Sequence, residues 1–90
     1  MEISLDEAKR QWTNVQRGLD FADVGNVLAG PTLTLEDDRF AYREPRFQTY
    51  GLLEERLIMF AWTPTDGGFR IISMRRCNDR EHREFADRLG

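Results

Sequence analysis

Cysteine, histidine and lysine are almost absent from this chain of 90 residues, which has only Cys77, His82 and Lys9 of these types. A single cysteine excludes a disulfide within the chain. One cysteine, one histidine and scattered acidic residues also leave no set of ligands with the spacing of a metal site. We therefore expect neither a metal nor another cofactor.

Long apolar runs are missing as well. The longest, residues 57–62, is far shorter than the ~20 residues of a membrane helix. The start of the chain, with Glu2 and Asp6, lacks the basic beginning and apolar middle of a secretory signal. No repeat or low-complexity tract divides the chain. We expect a single domain over residues 1–90, a cytoplasmic location and no membrane partner.

Positive charge is concentrated in the second part of the chain, although the net charge of −3 argues against a general polyanion binder. Residues 1–38 contain three basic and eight acidic side chains, whereas residues 39–90 contain ten arginines and eight acidic side chains. A GC-rich coding bias and a need for guanidinium groups both explain the preference for arginine over lysine. Whichever applies, the field over the second part favours anions.

Hydrophobic periodicity and turn residues predict an α+β fold. We expect a small antiparallel sheet of about four strands, with two N-terminal helices and one C-terminal helix packed on one of its faces. The predicted helices are residues 7–17, 21–29 and 78–89, the last with Asn78 as its cap. The predicted strands are residues 32–35, 47–50, 56–63 and 69–75 or 69–76, with residues 2–5 as a short edge strand.

Turns and caps follow from residue type. Residues 51–55 and 65–68 are predicted to form two hairpin connections, and Glu36-Asp37-Asp38 a solvated turn. The first helix begins either at an Asp6 cap or at a capping box of Ser4 and Glu7.

A run of seven residues, Arg70-Ile71-Ile72-Ser73-Met74-Arg75-Arg76, combines a strand-like apolar pattern with three arginines. Regular alternation predicts Arg70 and Arg76 on one face and Arg75 on the other. A guanidinium is always charged and offers up to five donors in a fixed fork, which suits phosphate recognition. The run therefore predicts a site for an anionic partner.

The order of elements and several motifs resemble the BrnT family, ribonuclease toxins of bacterial type II toxin–antitoxin pairs. The family's aromatic-Asp-x-x-Lys…Asn…Lys-His-Gly pattern is similar to Leu5-Asp6-Glu7-Ala8-Lys9, Asn14 and Gln16-Arg17-Gly18. Its Phe-x-x-Ala/Val helix resembles residues 21–24, and its Arg-Ile-Ile-Ser-Ala-Arg core resembles residues 70–75. Its Tyr-Gly-Glu-x-Arg-Phe…Gly stretch is similar to residues 42–47 with Gly51, and its Glu-Arg-x-x-Tyr ending to Glu81, His82, Arg83 and Phe85.

The resemblance implies a RelE-like fold, in which RNA binds across the arginine-bearing face of a sheet backed by helices. It also implies a metal-independent endoribonuclease that inhibits translation by cleaving RNA. The implied protein partner is a BrnA-like ribbon-helix-helix antitoxin, through which the toxin would meet DNA only indirectly.

Candidate catalytic residues follow from the chemistry of cleavage by the 2′-hydroxyl, which needs a proton acceptor and cationic stabilisation of the phosphorane. Arg70, Arg75 and Arg76 are candidates for the stabilising charge, or else pair with glutamates at the strand end. Glu44 is the candidate general base, with orientation of an arginine as its alternative.

Further candidates are RNA-binding: Arg46, Lys9, Arg17 and Tyr50. Tyr42 and Tyr50 either donate a proton or pack the sheet, and Trp12 and Trp62 are expected in the core rather than as platforms for bases. His82 is expected on an exposed helix face, and Cys77 is expected to be inert.

Three positions depart from the family pattern. Leu5 replaces an aromatic residue, Arg17 replaces the histidine, and Phe85 replaces a tyrosine. Because the last two remove titratable groups, a second function stays open. The chain is either an active ribonuclease or a catalytically degenerate BrnT-like binding module that acts as an antitoxin partner or corepressor.

Overall fold

A five-stranded mixed sheet forms the centre of the computed structural model, which describes residues 2–90. The strands are β1 (Glu2–Leu5), β2 (Thr32–Glu36), β3 (Phe47–Leu53), β4 (Arg56–Thr65) and β5 (Gly68–Arg76). Their spatial order is β1-β5-β4-β3-β2, with β1 parallel to β5 and every other pair antiparallel. The α+β class is confirmed. The four-stranded antiparallel sheet is wrong in detail, because the segment at residues 2–5 joins as a fifth, parallel strand.

Three α-helices accompany the sheet: α1 (Glu7–Arg17), α2 (Val24–Leu28) and α3 (Asp79–Phe85). The predicted second helix is split, because Asp20 accepts a hydrogen bond from the Ala22 N–H and starts a 3₁₀ turn at Phe21–Asp23 before α2. The last helix is shorter than predicted and ends in a 3₁₀ turn at Ala86–Arg88. None of the helices in residues 2–90 has the length and apolar character needed to cross a membrane.

The start of α1 is decided by its hydrogen bonds. The Asp6 carboxylate accepts from the N–H groups of Ala8 and Lys9, so Asp6 is the cap. The Ser4 hydroxyl instead donates to the Phe69 carbonyl across the sheet. At the other end, Gly18 adopts a φ of 66° and its N–H closes the helix.

The helices cover both faces of the sheet rather than the single face predicted. Ile58 and Phe60 of β4 pack against the segment of residues 19–28, on what we call the α1–α2 face. Leu57 and Met59 point the other way and pack with Phe85, on what we call the α3 face. The uninterrupted apolar run of β4 is the pattern of a strand buried on both sides, and the prediction of helices on one face is wrong.

A β-bulge at Ile72 resets the alternation of β5. Ile71 pairs with Trp62 and Ser73 pairs with Ala61, which leaves Ile72 as an extra residue between them. Arg70, Ser73 and Arg75 therefore share the α3 face, whereas Ile71, Met74 and Arg76 share the α1–α2 face. The prediction that Arg70 and Arg76 lie together is wrong, because regular alternation has no place for the extra residue.

The first hairpin turn lies three residues later than the glycine suggested. Glu54 and Glu55, with φ values of 51° and 66°, form the two-residue connection between β3 and β4. Gly51 lies inside β3, opposite Ile58, where a Cβ atom would come within 2.5 Å of Val27 Cγ1. Gly51 thus permits the close approach of α2 and does not make the turn.

Helix α1 turns its large apolar side chains to solvent. Trp12 is 54% exposed and Val15 is 78% exposed, whereas Thr13 is buried against the sheet. The Arg17 guanidinium lies over the Trp12 ring, 5.1 Å from its centroid. Trp12 is therefore outside the core, against expectation. The prediction for Trp62 is confirmed, since it packs against the α1–α2 core and its Nε1 donates to Thr49 Oγ1.

The different burial of Phe60 and Trp12 predicts unequal losses of stability when each is replaced by alanine. Phe60→Ala should lower the free energy of unfolding by about 3–5 kcal/mol, because it opens a cavity in the α1–α2 core. Trp12→Ala should lower it by less than about 1 kcal/mol, since it loses only surface contacts. Urea denaturation followed by circular dichroism measures both. A loss for Trp12→Ala as large as that for Phe60→Ala would show that α1 packs differently.

Candidate functional site

An open polar area lies on the α3 face beside the part that α3 covers. Gln48, Ala61 and Ser73 form a half-buried row across β3, β4 and β5. Arg70 lies on one side of this row and Arg75 on the other. We call these five residues the arginine face. The β4 partners of the two arginines are four positions apart, which separates the arginines by about 13 Å along the strand.

Arg70 is the exposed arginine of this face. Its Nη2 donates to Glu44 Oε1 at 2.7 Å, with the two side chains 47% and 44% exposed. An exposed pair of this kind contributes little to stability. The Thr63 hydroxyl, on the β4 residue opposite Arg70, donates to the Pro45 carbonyl at 2.7 Å. That bond holds the Glu44 segment beside the arginine face and brings together two predicted catalytic residues.

Arg75 is anchored to the N-terminus of α3. Its Nη1 and Nη2 donate to the two carboxylate oxygens of Glu81, each at 2.7 Å. Glu81 also accepts from the Asn78 N–H in a capping box. Hydrogen bonds from Arg75 are the main reason that the pKa of Glu81 falls to about 2. Arg75 therefore docks α3 onto β5 while part of its guanidinium remains exposed.

Arg76 and Arg17 lie on the opposite face. An Arg76 N–H donates to the Arg17 carbonyl, and Arg17 Nη1 donates to the Met74 carbonyl at 2.8 Å. These reciprocal bonds tie the end of α1 to β5. Lys9 is exposed on α1. The structure therefore groups Arg70, Arg75 and Glu44 on one side and leaves Arg76, Arg17 and Lys9 away from them.

The remaining titratable candidates are held in fixed contacts. The Tyr50 ring is buried under Phe85, and its hydroxyl donates to Gln48 Oε1 at 3.4 Å. Burial raises the pKa of Tyr50 and raises the pKa of Cys77 to about 11, so both groups keep their protons at neutral pH. His82 Nε2 accepts from the Leu57 N–H at 3.4 Å.

A second polar cluster joins β2 to β3 through residues 36–46. Asp37 is buried and accepts from Arg39 Nε, Arg39 Nη2 and the Tyr42 hydroxyl. The Arg39 hydrogen bond is the main reason that the pKa of Asp37 falls to about 2. The Arg46 guanidinium lies over the Tyr42 ring at 4.2 Å from its centroid. The prediction of a solvated turn at Glu36-Asp37-Asp38 is thus wrong for Asp37. The sequence feature that could have indicated the buried pair is the Asp-x-Arg spacing of Asp37 and Arg39, just after β2.

The low pKa of Glu81 predicts an acid-sensitive attachment of α3. Since the folded pKa lies below the ordinary value of 4.5, the stabilisation is complete above about pH 4.5 and is lost as the pH falls towards 2. Glu81→Gln should lower the free energy of unfolding at pH 7 by about 1–3 kcal/mol and flatten its decline over this pH range. Urea midpoints from pH 7 to 2.5 test this, with Glu84→Gln as the control. An unchanged acid limb in Glu81→Gln would contradict it.

Comparison with known proteins assigns the chain to a family. Within residues 2–90, no three His, Cys, Asp or Glu side chains lie close enough to hold a metal ion together. No curated protein matches the sequence. A family model described as the ribonuclease toxin BrnT of type II toxin–antitoxin systems matches residues 5–81, from β1 into α3, and this range includes the whole arginine face. The chain therefore belongs to the BrnT family of ribonuclease toxins of type II toxin–antitoxin systems.

Proposed function

We propose that this chain is a metal-independent endoribonuclease that inhibits translation in the cytoplasm by cleaving RNA across the arginine face. The bulge at Ile72 is the observation that carries the proposal, because it brings Arg70 and Arg75 to the same open face. The small side chains of Ala61 and Ser73 between them leave room for an RNA backbone. A RelE-like arrangement, with RNA on the sheet, is part of the same proposal.

The reaction we propose is attack by a ribose 2′-oxygen on the adjacent phosphorus. The new P–O bond forms and the bond to the 5′-oxygen breaks through a phosphorane that carries extra negative charge. The 2′-hydroxyl gives up its proton and the leaving 5′-oxygen takes one from water, which leaves a 2′,3′-cyclic phosphate and a 5′-hydroxyl. Arg70 is suited to stabilise that charge, since only its Nη2 is engaged, by Glu44, among the described residues. Arg75, held by Glu81, supplies a fixed positive charge for a neighbouring phosphate.

Glu44 is the proton acceptor in this proposal. Its carboxylate is 44% exposed and lies 2.7 Å from the Arg70 guanidinium, which brings it next to the phosphate that Arg70 binds. Of the predicted RNA-binding residues, Tyr50 contributes by positioning the Gln48 amide in the middle of the face, and Arg46 lies in the neighbouring segment.

Arginine substitution tests the site. Arg70→Ala should relieve growth arrest on induced expression and lower the rate of RNA cleavage by about 10²-fold or more, because the phosphorane loses its stabilising charge. Growth curves and gels of total RNA are followed beside wild type and Arg83→Ala, which removes an exposed arginine from α3. A folded Arg70→Ala protein that remains fully toxic would show that the arginine face is not the cleavage site.

Two substitutions separate the two explanations for Glu44. Glu44→Gln keeps an oxygen that accepts from Arg70 but cannot take up a proton, whereas Glu44→Ala removes both properties. We expect both variants to lose about 10²–10⁴-fold in cleavage rate, as for the loss of a general base. Near-normal cleavage by Glu44→Gln with weak cleavage by Glu44→Ala would instead make Glu44 an orienting residue for Arg70.

A second candidate function is a catalytically degenerate module that binds a BrnA-like ribbon-helix-helix antitoxin, and through it DNA, as partner or corepressor. Two observations favour it. The guanidinium at position 17, where the family has histidine, donates to the Met74 carbonyl and cannot accept a proton. Trp12 and Val15 are exposed on α1, as suits contact with another protein.

Expression with and without the antitoxin distinguishes the two functions. A ribonuclease should arrest growth alone, and growth should recover when the neighbouring antitoxin gene is expressed with it. Trp12→Ala should weaken antitoxin binding by at least 10-fold, measured by titration calorimetry with Glu84→Ala as the control. Normal growth with a folded chain that binds antitoxin tightly would establish the binding module and contradict the enzyme.

A further inference from the structure

The segment between β2 and β3 encloses an open pocket outside the arginine face. It is lined by residues 36–38 and 40–46, and its volume is about 330 Å³. That volume falls within the range of about 300–1,000 Å³ that is typical of small-ligand sites. The Asp37 side chain, only 4% exposed, accepts from both Arg39 and Tyr42 and holds this wall in place. The pocket is thus formed before any ligand enters.

Arg46 is the unexplained group in this pocket. Its Nε is buried and has no hydrogen-bond partner within residues 2–90, and its guanidinium carbon lies 4.2 Å from the centroid of the Tyr42 ring. A buried donor without a partner costs about 1–3 kcal/mol. Because Nε is buried, a ligand in the pocket would meet the terminal Nη1 and Nη2, which also form no hydrogen bond within residues 2–90, and the aromatic contact restricts the guanidinium.

Carboxylates line the same pocket. Glu36 and Asp38 are exposed, and neither forms a salt bridge within the described part of the chain. The pocket therefore offers a fork of donors from Arg46 together with carboxylate acceptors. Among the four RNA bases, guanine alone has an adjacent pair of acceptors, O6 and N7, and an adjacent pair of donors, N1–H and the N2 amine. Adenine places a donor beside N7, which opposes a guanidinium.

We propose that residues 36–46 form a recognition pocket for a guanine base of the RNA substrate, with Arg46 as its specificity-determining residue. The inference rests on the proposed function. Glu44 lines the pocket and is bonded to Arg70, so a base held there lies next to the cleavage site. Phe40, 67% exposed in the same segment, offers a stacking surface for a base.

The test uses four RNA oligonucleotides that differ only at one central base, set in a uridine background for G, A and C, with all-uridine RNA as the fourth. Wild type should cleave the guanine-containing RNA at least 10-fold faster than the other three. Arg46→Ala should lose that preference. Arg46→Lys, which keeps the charge but not the fork, should lose most of it. Arg83→Ala removes an exposed arginine of α3 that lies outside the pocket lining and should keep the preference.

A second measurement separates the pocket from catalysis. Fluorescence anisotropy with uncleavable 2′-O-methyl versions of the four RNAs reports base preference even if nothing is cut. Absence of cleavage with retained preference for guanine would refute the proposed enzyme and leave the pocket supported. Cleavage with no base preference, or an unchanged preference in folded Arg46→Ala, would overturn the pocket.

Two further outcomes are decisive. If Arg46→Ala does not fold, competition by guanosine monophosphate against wild type, with adenosine monophosphate as the control, replaces it. Equal competition by the two nucleotides overturns the inference. If Arg46→Lys weakens antitoxin binding and leaves base preference intact, the pocket belongs to the protein interface and the guanine inference is wrong.

Discussion

The pairing of β4 with β5, with one extra residue at Ile72, decides how the rest of this molecule is arranged. Side chains on a strand alternate strictly, so one additional residue exchanges the two faces for everything that follows it. Met74 enters the α1–α2 core, and Arg75 joins Arg70 on the α3 face. Without the bulge, Met74 would lie on the α3 face and Arg75 on the α1–α2 face.

The three arginines of β5 consequently make different contacts. Arg76 bonds the end of α1, and Arg75 bonds the capping box of α3, so both attach helices to the sheet. Arg70 has only an exposed pair with Glu44 and contributes little to stability. Arg70 is thus the arginine of β5 that does not attach a helix to the sheet. This difference in contacts among the three arginines is the basis of the proposed ribonuclease site.

The charged surface and the exposed apolar surface also lie on different parts of the molecule. The arginine face and the pocket of residues 36–46 adjoin through the hydrogen bond between Arg70 and Glu44. Helix α1 belongs to the acidic first part of the chain and exposes Trp12 and Val15. The proposed RNA site and this exposed apolar surface therefore lie on opposite sides of the sheet.

The sequence by itself determined the α+β class, most helices and strands, the cap at Asn78 and the BrnT family, because these depend on local periodicity, capping chemistry and residue order. Only the tertiary structure decided which arginines meet. Alternation cannot reveal a bulge, since the extra residue is defined by its partner strand. Helix periodicity likewise predicted a helix at residues 7–17 but not which of its faces packs on the sheet, where Thr13 is buried and Trp12 is exposed. The burial of Asp37 and the contact of Arg46 with Tyr42 also required the folded chain, since they depend on the path of the segment between β2 and β3.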